Sequence, residues 1–194
     1  MPIGMHILAG FSLGFRHRRE LARILSETSP DNCIHCLIPG VLKNQGITVL
    51  ALDFDGVLSP HGDATPLSEA KTWLAESVAV FGEESIFILS NKPTDERRDW
   101  FAEHFSKIRF VSGVRKKPYP DGLQKISELA GVPLSSILMV DDRLMTGCLA
   151  AINAGARTCY IRSPYVSLKQ RPVVELFFML LRKSEQLVIG CRSL

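Results

Sequence analysis

The sequence has no internal repeat and no low-complexity tract, and no residue type dominates it. It holds 14 glycines and 11 prolines among 194 residues, with 46% hydrophobic and 22% charged residues. These proportions exclude a collagen-like or wholly disordered chain. A chain of this length forms one domain with room for helical extensions, and it buries enough surface to fold on its own.

The sequence also lacks a recognisable secretory signal. The first residues, MPIGMHILAGFSLGF, are apolar, but no basic residue precedes them and no small-residue cleavage site follows. This run is shorter than the ~20 residues that cross a bilayer. The cysteines are odd in number: Cys33, Cys36, Cys148, Cys159 and Cys191. We therefore expect reduced thiols and a cytoplasmic location.

Strong charge of one sign is absent too, since the net charge is only +3. The balance is +2 over residues 1–46, −2 over 47–165 and +3 over 166–194. We expect these three parts to be an N-terminal helical extension, a catalytic core, and a C-terminal helix with a tail. An acidic centre suits a metal site, whereas basic ends suit anionic surfaces.

The two ends leave a membrane question open. Arg16-His17-Arg18-Arg19 follows the apolar N-terminal segment, and residues 176–181 are apolar around the whole of a predicted helix. Such segments can lie on an anionic membrane, which would make the protein peripheral to the membrane. The simpler interpretations are a packed N-terminal segment with a solvated helix start, and a final helix that covers the sheet or an oligomer contact.

Apolar runs and helical patterns alternate along the middle of the chain. The predicted strands are 47–52, 85–89, 108–111, 136–140 and 158–161. The predicted helices are 16–28, 33–44 with an interruption near Pro39, 66–81, 94–105, 121–130, 144–154 and 168–184. This order predicts an α/β, doubly wound (Rossmann-like) three-layer fold with a five-stranded parallel sheet.

Polar residues follow four of the predicted strands, at the edge where parallel sheets bind ligands. They are Asp53-Phe54-Asp55-Gly56, Ser90-Asn91, Arg115-Lys116-Lys117-Pro118 and Asp141-Asp142. Their structural alternatives are an Asx turn or cap at Asp53 and Asp55, a strand-to-helix turn at Ser90-Asn91, a solvated charge at Lys116 or Lys117, and an N-cap pair at Asp141-Asp142.

The residue types indicate phosphoryl transfer. Asp53, Asp55 and Asp142 offer the hard oxygen ligands that suit Mg²⁺. The metal would offset repulsion between the phosphate and an attacking carboxylate. One aspartate can attack phosphorus to give an aspartyl-phosphate while the other moves protons. Ser90 and Lys117 can hold the phosphate oxygens.

These motifs resemble those of the haloacid dehalogenase (HAD) superfamily over residues 47–162. The matching segments are D-F-D-G-V-L, I-L-S-N, the Lys117-Pro118 pair and Asp141-Asp142. The stretches S-N-K, R-K-K-P and D-D-R-L-M-T-G are similar to the subfamily IIIA, YqeG-type group that includes phosphatidylglycerophosphate phosphatases. The chain departs from that group at Asp141, where a glycine is expected, at Gly147, where an aspartate is expected, and at Gly56, where an asparagine is usual.

The resemblance implies a Mg²⁺-dependent phosphatase with assigned roles for its residues. Asp53 would be the nucleophile and a metal ligand. Asp55 would be the general acid/base and would bind the metal through its backbone carbonyl. The phosphate-binding residues would be Ser90, Asn91 and Lys117. Asp142 would complete the metal site, with Asp141 as a further candidate that compensates for Gly147.

The loops after the first two strands are too short for a folded cap domain, so we expect an open site. An open site accepts a phosphate on a large or lipid-borne group, and a phosphatidylglycerophosphate-like phospholipid is the leading candidate. A phosphoprotein or a nucleic-acid end is the alternative substrate, although we expect phospholipid as a partner ahead of nucleic acid. An inactive binding module is the third interpretation.

Five further residues carry reactive side chains: Cys33, His35, Cys36, His61 and His104. Cys33-Ile34-His35-Cys36 has the spacing of a redox or zinc half-site, but there is no second C-x-x-C, and two cysteines on a buried helix face are the simpler interpretation. His61 and His104 could contact substrate, yet we expect both on the surface.

Overall fold

A computed structural model of the chain describes residues 14–190. Its sheet has five parallel strands in the order β3-β2-β1-β4-β5. The strands are β1 (Val49–Leu52), β2 (Ile86–Ile88), β3 (Arg109–Phe110), β4 (Ile137–Asp141) and β5 (Arg157–Tyr160). The predicted α/β fold with a five-stranded parallel sheet is confirmed, with strand bounds that differ by up to two residues.

Helices connect the strands and flank the sheet. They are α1 (Arg18–Glu27), α2 (Pro39–Asn44), α3 (Ser68–Phe81), α4 (Asp95–His104), α5 (Asp121–Ala130), α6 (Leu149–Ala154) and α7 (Pro172–Gly190). The segment Leu144–Cys148, predicted as the first part of a helix, is a π-helical turn that leads into α6. The final helix begins four residues later than predicted, at Pro172. Proline suits the first turn of a helix, because the backbone N–H that it lacks would have no partner within the helix there.

The helix predicted over residues 33–44, with an interruption near Pro39, is present only in its second part, as α2. A single 3-10 turn spans Ile34–Cys36, and Cys33 and Ile38 on either side of it are extended. Ile38 precedes Pro39, whose ring disfavours the helical conformation in the residue before it. The two cysteines therefore do not lie on a buried helix face: Cys33 is buried and Cys36 is exposed.

Both faces of the sheet are buried, which explains why its strands are apolar throughout. Leu50 and Leu52 of β1 pack into a cluster with Trp73 of α3 and Phe101 of α4. The alternate residues of β1 pack into a second cluster on the opposite face, against α5 and α6. This two-sided core holds the carboxyl ends of the strands in register at one edge.

The helices at the two ends of the described chain pack on the same side of the core. Leu21 of α1 and Ile189 of α7 belong to one buried cluster with Tyr160 at the end of β5. In α7, the buried residues are mostly charged, whereas large apolar side chains of the same helix, Leu176 and Phe177 among them, are exposed. Charged groups of α7 thus face inward and its large apolar side chains are exposed, which does not match a helix that covers the sheet with apolar residues. The other interpretations, an oligomer contact and contact with lipid, stay predictions.

Some predictions concern residues that the structure does not describe. The apolar N-terminal segment up to residue 13 and Cys191 lie outside the described residues. Within residues 14–190, no helix is both long and apolar enough to cross a membrane. The division into residues 1–46, 47–165 and 166–194 stays a prediction.

Candidate active site

The strand ends bring the predicted site residues together around one cavity of about 390 Å³. Its lining includes Asp53, Asp55, Ser90, Asn91, Lys117 and Asp142. Single oxygens of Asp53, Asp141 and Asp142 all lie within 4.8 Å of one another. The structure thus brings together residues that are up to 89 positions apart in the sequence.

Lys117 is the cation among these carboxylates. The residue is 4% exposed, whereas Lys116 beside it is exposed. The Nζ atom lies 3.1 Å from Oδ2 of Asp53 and 2.5 Å from Oδ2 of Asp141. Burial alone would lower the pKa of Lys117, but the two carboxylates raise it above its ordinary value. The lysine is therefore charged at neutral pH.

Asp53 follows β1 directly and points into the cavity. Burial raises the pKa of this carboxyl to about 8, because nearby Asp141 and Asp142 add to the desolvation while Lys117 offsets only part of it. While Oδ2 of Asp53 faces Lys117, Oδ1 accepts a hydrogen bond from the main-chain N–H of Phe54 at 2.9 Å. A cation at this position would favour the ionised, nucleophilic form.

Asp55 is held by Arg97, a residue that sequence reasoning missed. The guanidinium donates to both carboxylate oxygens, at 2.6 and 3.1 Å, and Gly62 N–H donates at 3.0 Å. Burial would raise the pKa of Asp55, but these hydrogen bonds and the arginine's charge hold it below its usual value. One signal was available in the sequence: Arg97 lies in the first turn of α4, where basic residues oppose the helix dipole.

Gly56 allows the chain to turn sharply after Asp55 and to pass close to Asp142. It has φ of +80°, and a Cβ at this position would overlap the carboxylate of Asp142. Only glycine combines this left-handed backbone with so close an approach. The conformation also brings Gly56 O within 2.9 Å of the N–H of Tyr165, which ties the turn to the chain after β5.

Ser90 and Asn91 follow β2 and play different parts in the geometry. Ser90 lines the cavity, and its Oγ accepts a hydrogen bond from Lys92 N–H at 3.2 Å. The side-chain amide of Asn91 makes two hydrogen bonds to the main chain of Lys117. Its Oδ1 accepts from the N–H at 2.9 Å, and its Nδ2 donates to the carbonyl at 3.4 Å. Asn91 therefore positions Lys117, and its predicted contact with phosphate stays a prediction.

Helix α7 closes one side of the site, a feature that the sequence did not reveal. Arg182 Nη1 donates to Oδ2 of Asp142, and among the described residues its buried Nη2 has no hydrogen-bond partner. Burial raises the pKa of Asp142 to about 6, and the pairing with Arg182 opposes this shift. Arg182 thus supplies charge to the metal-ligand candidate from a helix 40 residues away.

The same helix holds His61, which we had expected on the surface. His61 is 9% exposed, and its ring stacks on Phe178 with centroids 3.9 Å apart. Oε1 of Glu175 accepts a hydrogen bond from the main-chain N–H of His61 at 2.9 Å. Its Oε2 lies 3.2 Å from Nδ1 of the His61 ring. Burial lowers the pKa of His61. His104 is exposed on α4, as predicted.

The donor set fits a hard divalent cation. Asp53, Asp141 and Asp142 form a group of carboxylates that could hold a metal ion, and Lys117 and Arg182 are the cations that now face them. Carboxylate oxygens are the ligands that Mg²⁺ takes in phosphoryl-transfer sites.

Comparison with known proteins adds little beyond this geometry. No protein-family model and no curated protein matches the sequence. An uncharacterized protein from Corynebacterium glutamicum ATCC 13032 Kitasato is similar at 20% identity and a TM-score of 0.46, over 71% of this chain and 96% of its own. A HAD hydrolase, family IA, variant 3, from Entamoeba histolytica HM-1:IMSS is similar at 17% identity and a TM-score of 0.40, over 58% and 82%. Both similarities are remote, and neither carries an activity over to this chain.

Proposed function

We propose that the protein is a Mg²⁺-dependent phosphatase of the HAD type, which hydrolyses a phosphate monoester through an aspartyl-phosphate. The observation that carries this proposal is the convergence of Asp53, Asp142 and Lys117 on one cavity at the carboxyl edge of a parallel sheet. A nucleophile, a metal-ligand set and a phosphate-binding cation are the parts that this chemistry needs.

In the first half-reaction, an oxygen of Asp53 attacks phosphorus and the bond to the leaving oxygen breaks. Lys117 and Ser90 bind the non-bridging oxygens and balance their charge. Asp55 donates the proton that the leaving alkoxide needs, for which its contact with Arg97 must loosen. In the second half-reaction, the ionised Asp55 takes a proton from water, which attacks the aspartyl-phosphate and releases inorganic phosphate.

Mg²⁺ would be held by Asp53, Asp142 and the backbone carbonyl of Asp55, with Asp141 as a further candidate. Its contribution when bound is to neutralise the repulsion between the phosphate and the carboxylates. Arg182 and Lys117 carry positive charge at the same edge and share that task.

For the substrate, we propose a phosphate on a large or lipid-borne group such as phosphatidylglycerophosphate. Support comes from the side of the cavity that α7 forms, where Val174 and Phe178 line it. Exposed apolar side chains of α7 continue beyond this wall, Leu176 and Phe177 among them. An acyl chain could lie along that surface, and a cytoplasmic protein with peripheral membrane contact would reach such a substrate.

The test uses the purified full chain with an aryl phosphate, in Mg²⁺ and in EDTA. We expect hydrolysis only with Mg²⁺, and a loss of about a thousandfold or more in Asp53→Asn. Asp95→Asn, an exposed acidic residue on α4, is the matched control and should retain activity. An Asp53→Asn variant that keeps its activity would remove Asp53 as the nucleophile.

A substrate panel then tests the lipid proposal separately. Phosphatidylglycerophosphate in mixed micelles should be hydrolysed more than tenfold faster than a phosphopeptide or a 3′-phosphorylated oligonucleotide. A reversed order would favour a phosphoprotein or nucleic-acid-end phosphatase of the same fold. No turnover, together with no Mg²⁺-dependent thermal stabilisation by beryllium fluoride, would favour an inactive binding module.

A further inference from the structure

A second cluster of metal-ligand side chains lies in the turn before α2. Single ligand atoms of Cys33, His35 and Cys36 all lie within 4.8 Å of one another. The Cys33 sulfur is 2.9 Å from the Cys36 sulfur and 3.0 Å from Nε2 of His35. Two sulfurs and one imidazole nitrogen are borderline-soft donors, unlike the oxygen set of the phosphoryl-transfer site.

The backbone that carries these donors is fixed from both sides by the core. Asn32 O accepts from the N–H groups of Arg162 and Ser163 at 3.0 and 2.9 Å. On the other side, Leu37 O accepts from the indole N–H of Trp73 at 2.6 Å. Ile34, between the ligand candidates, is 1% exposed and anchors the turn in the core. The backbone that carries the three donors is therefore held by contacts that need no ligand.

The two sulfurs are not covalently joined. Both cysteines are free, and their separation exceeds the S–S bond of about 2.0 Å. A divalent ion binds cysteine as the thiolate, so its binding would release the thiol protons to solvent.

The dimensions suit zinc. With Zn–S bonds of about 2.3 Å, a tetrahedral ion sets its sulfur ligands about 3.8 Å apart. The sulfurs of Cys33 and Cys36 would have to separate by only about 0.9 Å from their present distance. His35 and Cys36 are exposed, so the turn can accommodate this movement and an ion can enter from solvent.

We infer that Cys33, His35 and Cys36 bind one Zn²⁺ ion at a site separate from the phosphoryl-transfer centre. Among residues 14–190, no fourth His, Cys, Asp or Glu joins the cluster. Because His35 and Cys36 are exposed, a water from solvent would complete the tetrahedron. The ion ties the turn together and adds to the stability of the segment that joins α1 to α2.

Metal analysis of the full chain, purified without a polyhistidine tag and in reductant, tests this inference. We expect one zinc per chain after dialysis, and less than a tenth of that in Cys36→Ser and in His35→Asn. Cys159→Ser is the control for a cysteine outside the cluster and should keep its zinc. Asp53→Asn should keep it as well, which separates this site from the acidic one.

Cobalt substitution identifies the ligands without any activity measurement. Co²⁺ should produce a thiolate-to-metal charge-transfer band in the near ultraviolet that Cys36→Ser removes. A chelator should lower the Tm of the parent protein but not that of His35→Asn, in which only an exposed side chain is replaced. Failure to bind added zinc, zinc retained in both cluster variants, or a thiol count that reveals a Cys33–Cys36 disulfide instead would each overturn the inference.

Discussion

The carboxylate of Asp141 occupies the space in which a side chain on Gly147 would begin. A Cβ built on Gly147 would overlap both the carboxylate oxygen and the carbon that carries it. The two positions therefore share a single gap, and the Asp141 side chain fills it from the end of β4.

The first prediction follows from this close packing. Gly147→Ala should destabilise the protein by about 1–3 kcal/mol, because the added methyl overpacks a site that has no free volume. In an Asp141→Gly background the same substitution should cost much less. Urea unfolding measures both, and the difference gives the coupling between the two positions.

Gly40 of α2 is the matched control for this experiment. A Cβ at Gly40 meets no atom within 4 Å, so Gly40→Ala should be neutral or stabilise by up to about 1 kcal/mol. A Gly147→Ala variant as stable as Gly40→Ala would show that Asp141 does not fill the gap.

The second prediction concerns Arg182, which pairs with the buried Asp142. Arg182→Gln leaves that carboxylate without its cation, which should cost about 3–5 kcal/mol in the metal-free protein. Mg²⁺ should restore part of the loss, so the Tm increase on adding Mg²⁺ should be larger than in the parent. Lys183→Gln changes an exposed charge on the same helix and should leave the response unchanged. Equal Mg²⁺ responses in all three proteins would refute the idea that Arg182 and the metal act on the same carboxylate.

The third prediction concerns Arg97, which orients Asp55. Arg97→Ala leaves the partly exposed carboxylate of Asp55 without its cation and removes the contact between the guanidinium and the Phe54 ring, 3.9 Å from its centroid. We expect a loss of about 1.5–3 kcal/mol in stability and about a hundredfold in kcat. Arg97→Lys should not rescue activity, since an ammonium cannot bond both carboxylate oxygens at once. The exposed neighbour Arg98 is the control, and Arg98→Ala should be within about 0.5 kcal/mol of the parent.

The fourth prediction is a pH dependence of stability that arises from His61. Because burial lowers its pKa, the folded protein binds fewer protons than the unfolded chain as the pH falls below about 6.5. His61 should therefore make stability decrease as the pH falls through this range, with a slope of at most about 1.4 kcal/mol per pH unit. His61→Gln should flatten the slope in urea unfolding between pH 5 and pH 7, and His104→Gln, at an exposed position, should not. An unchanged slope in His61→Gln would contradict a neutral, buried His61.

Local pattern was enough to predict the sheet. The apolar runs before Asp53 and Asp141 and the helical spacing between them depend on neighbours a few residues away, and the structure reproduces them within about two residues. Two predicted helices differ from the structure for local reasons as well. Pro39 ends the turn before α2, and residues Leu144–Cys148 form a π-helical turn.

The sequence by itself determined that carboxylates and a lysine follow successive parallel strands, because parallel strands carry their carboxyl ends to one edge whatever the details of packing. Only the tertiary structure decided which cations face those carboxylates. Arg97 and Arg182 reach Asp55 and Asp142 across 42 and 40 positions, and many arginines in the sequence could have done so. Long charged side chains carry no periodic signal for their partner, so their pairing depends on where the helices pack.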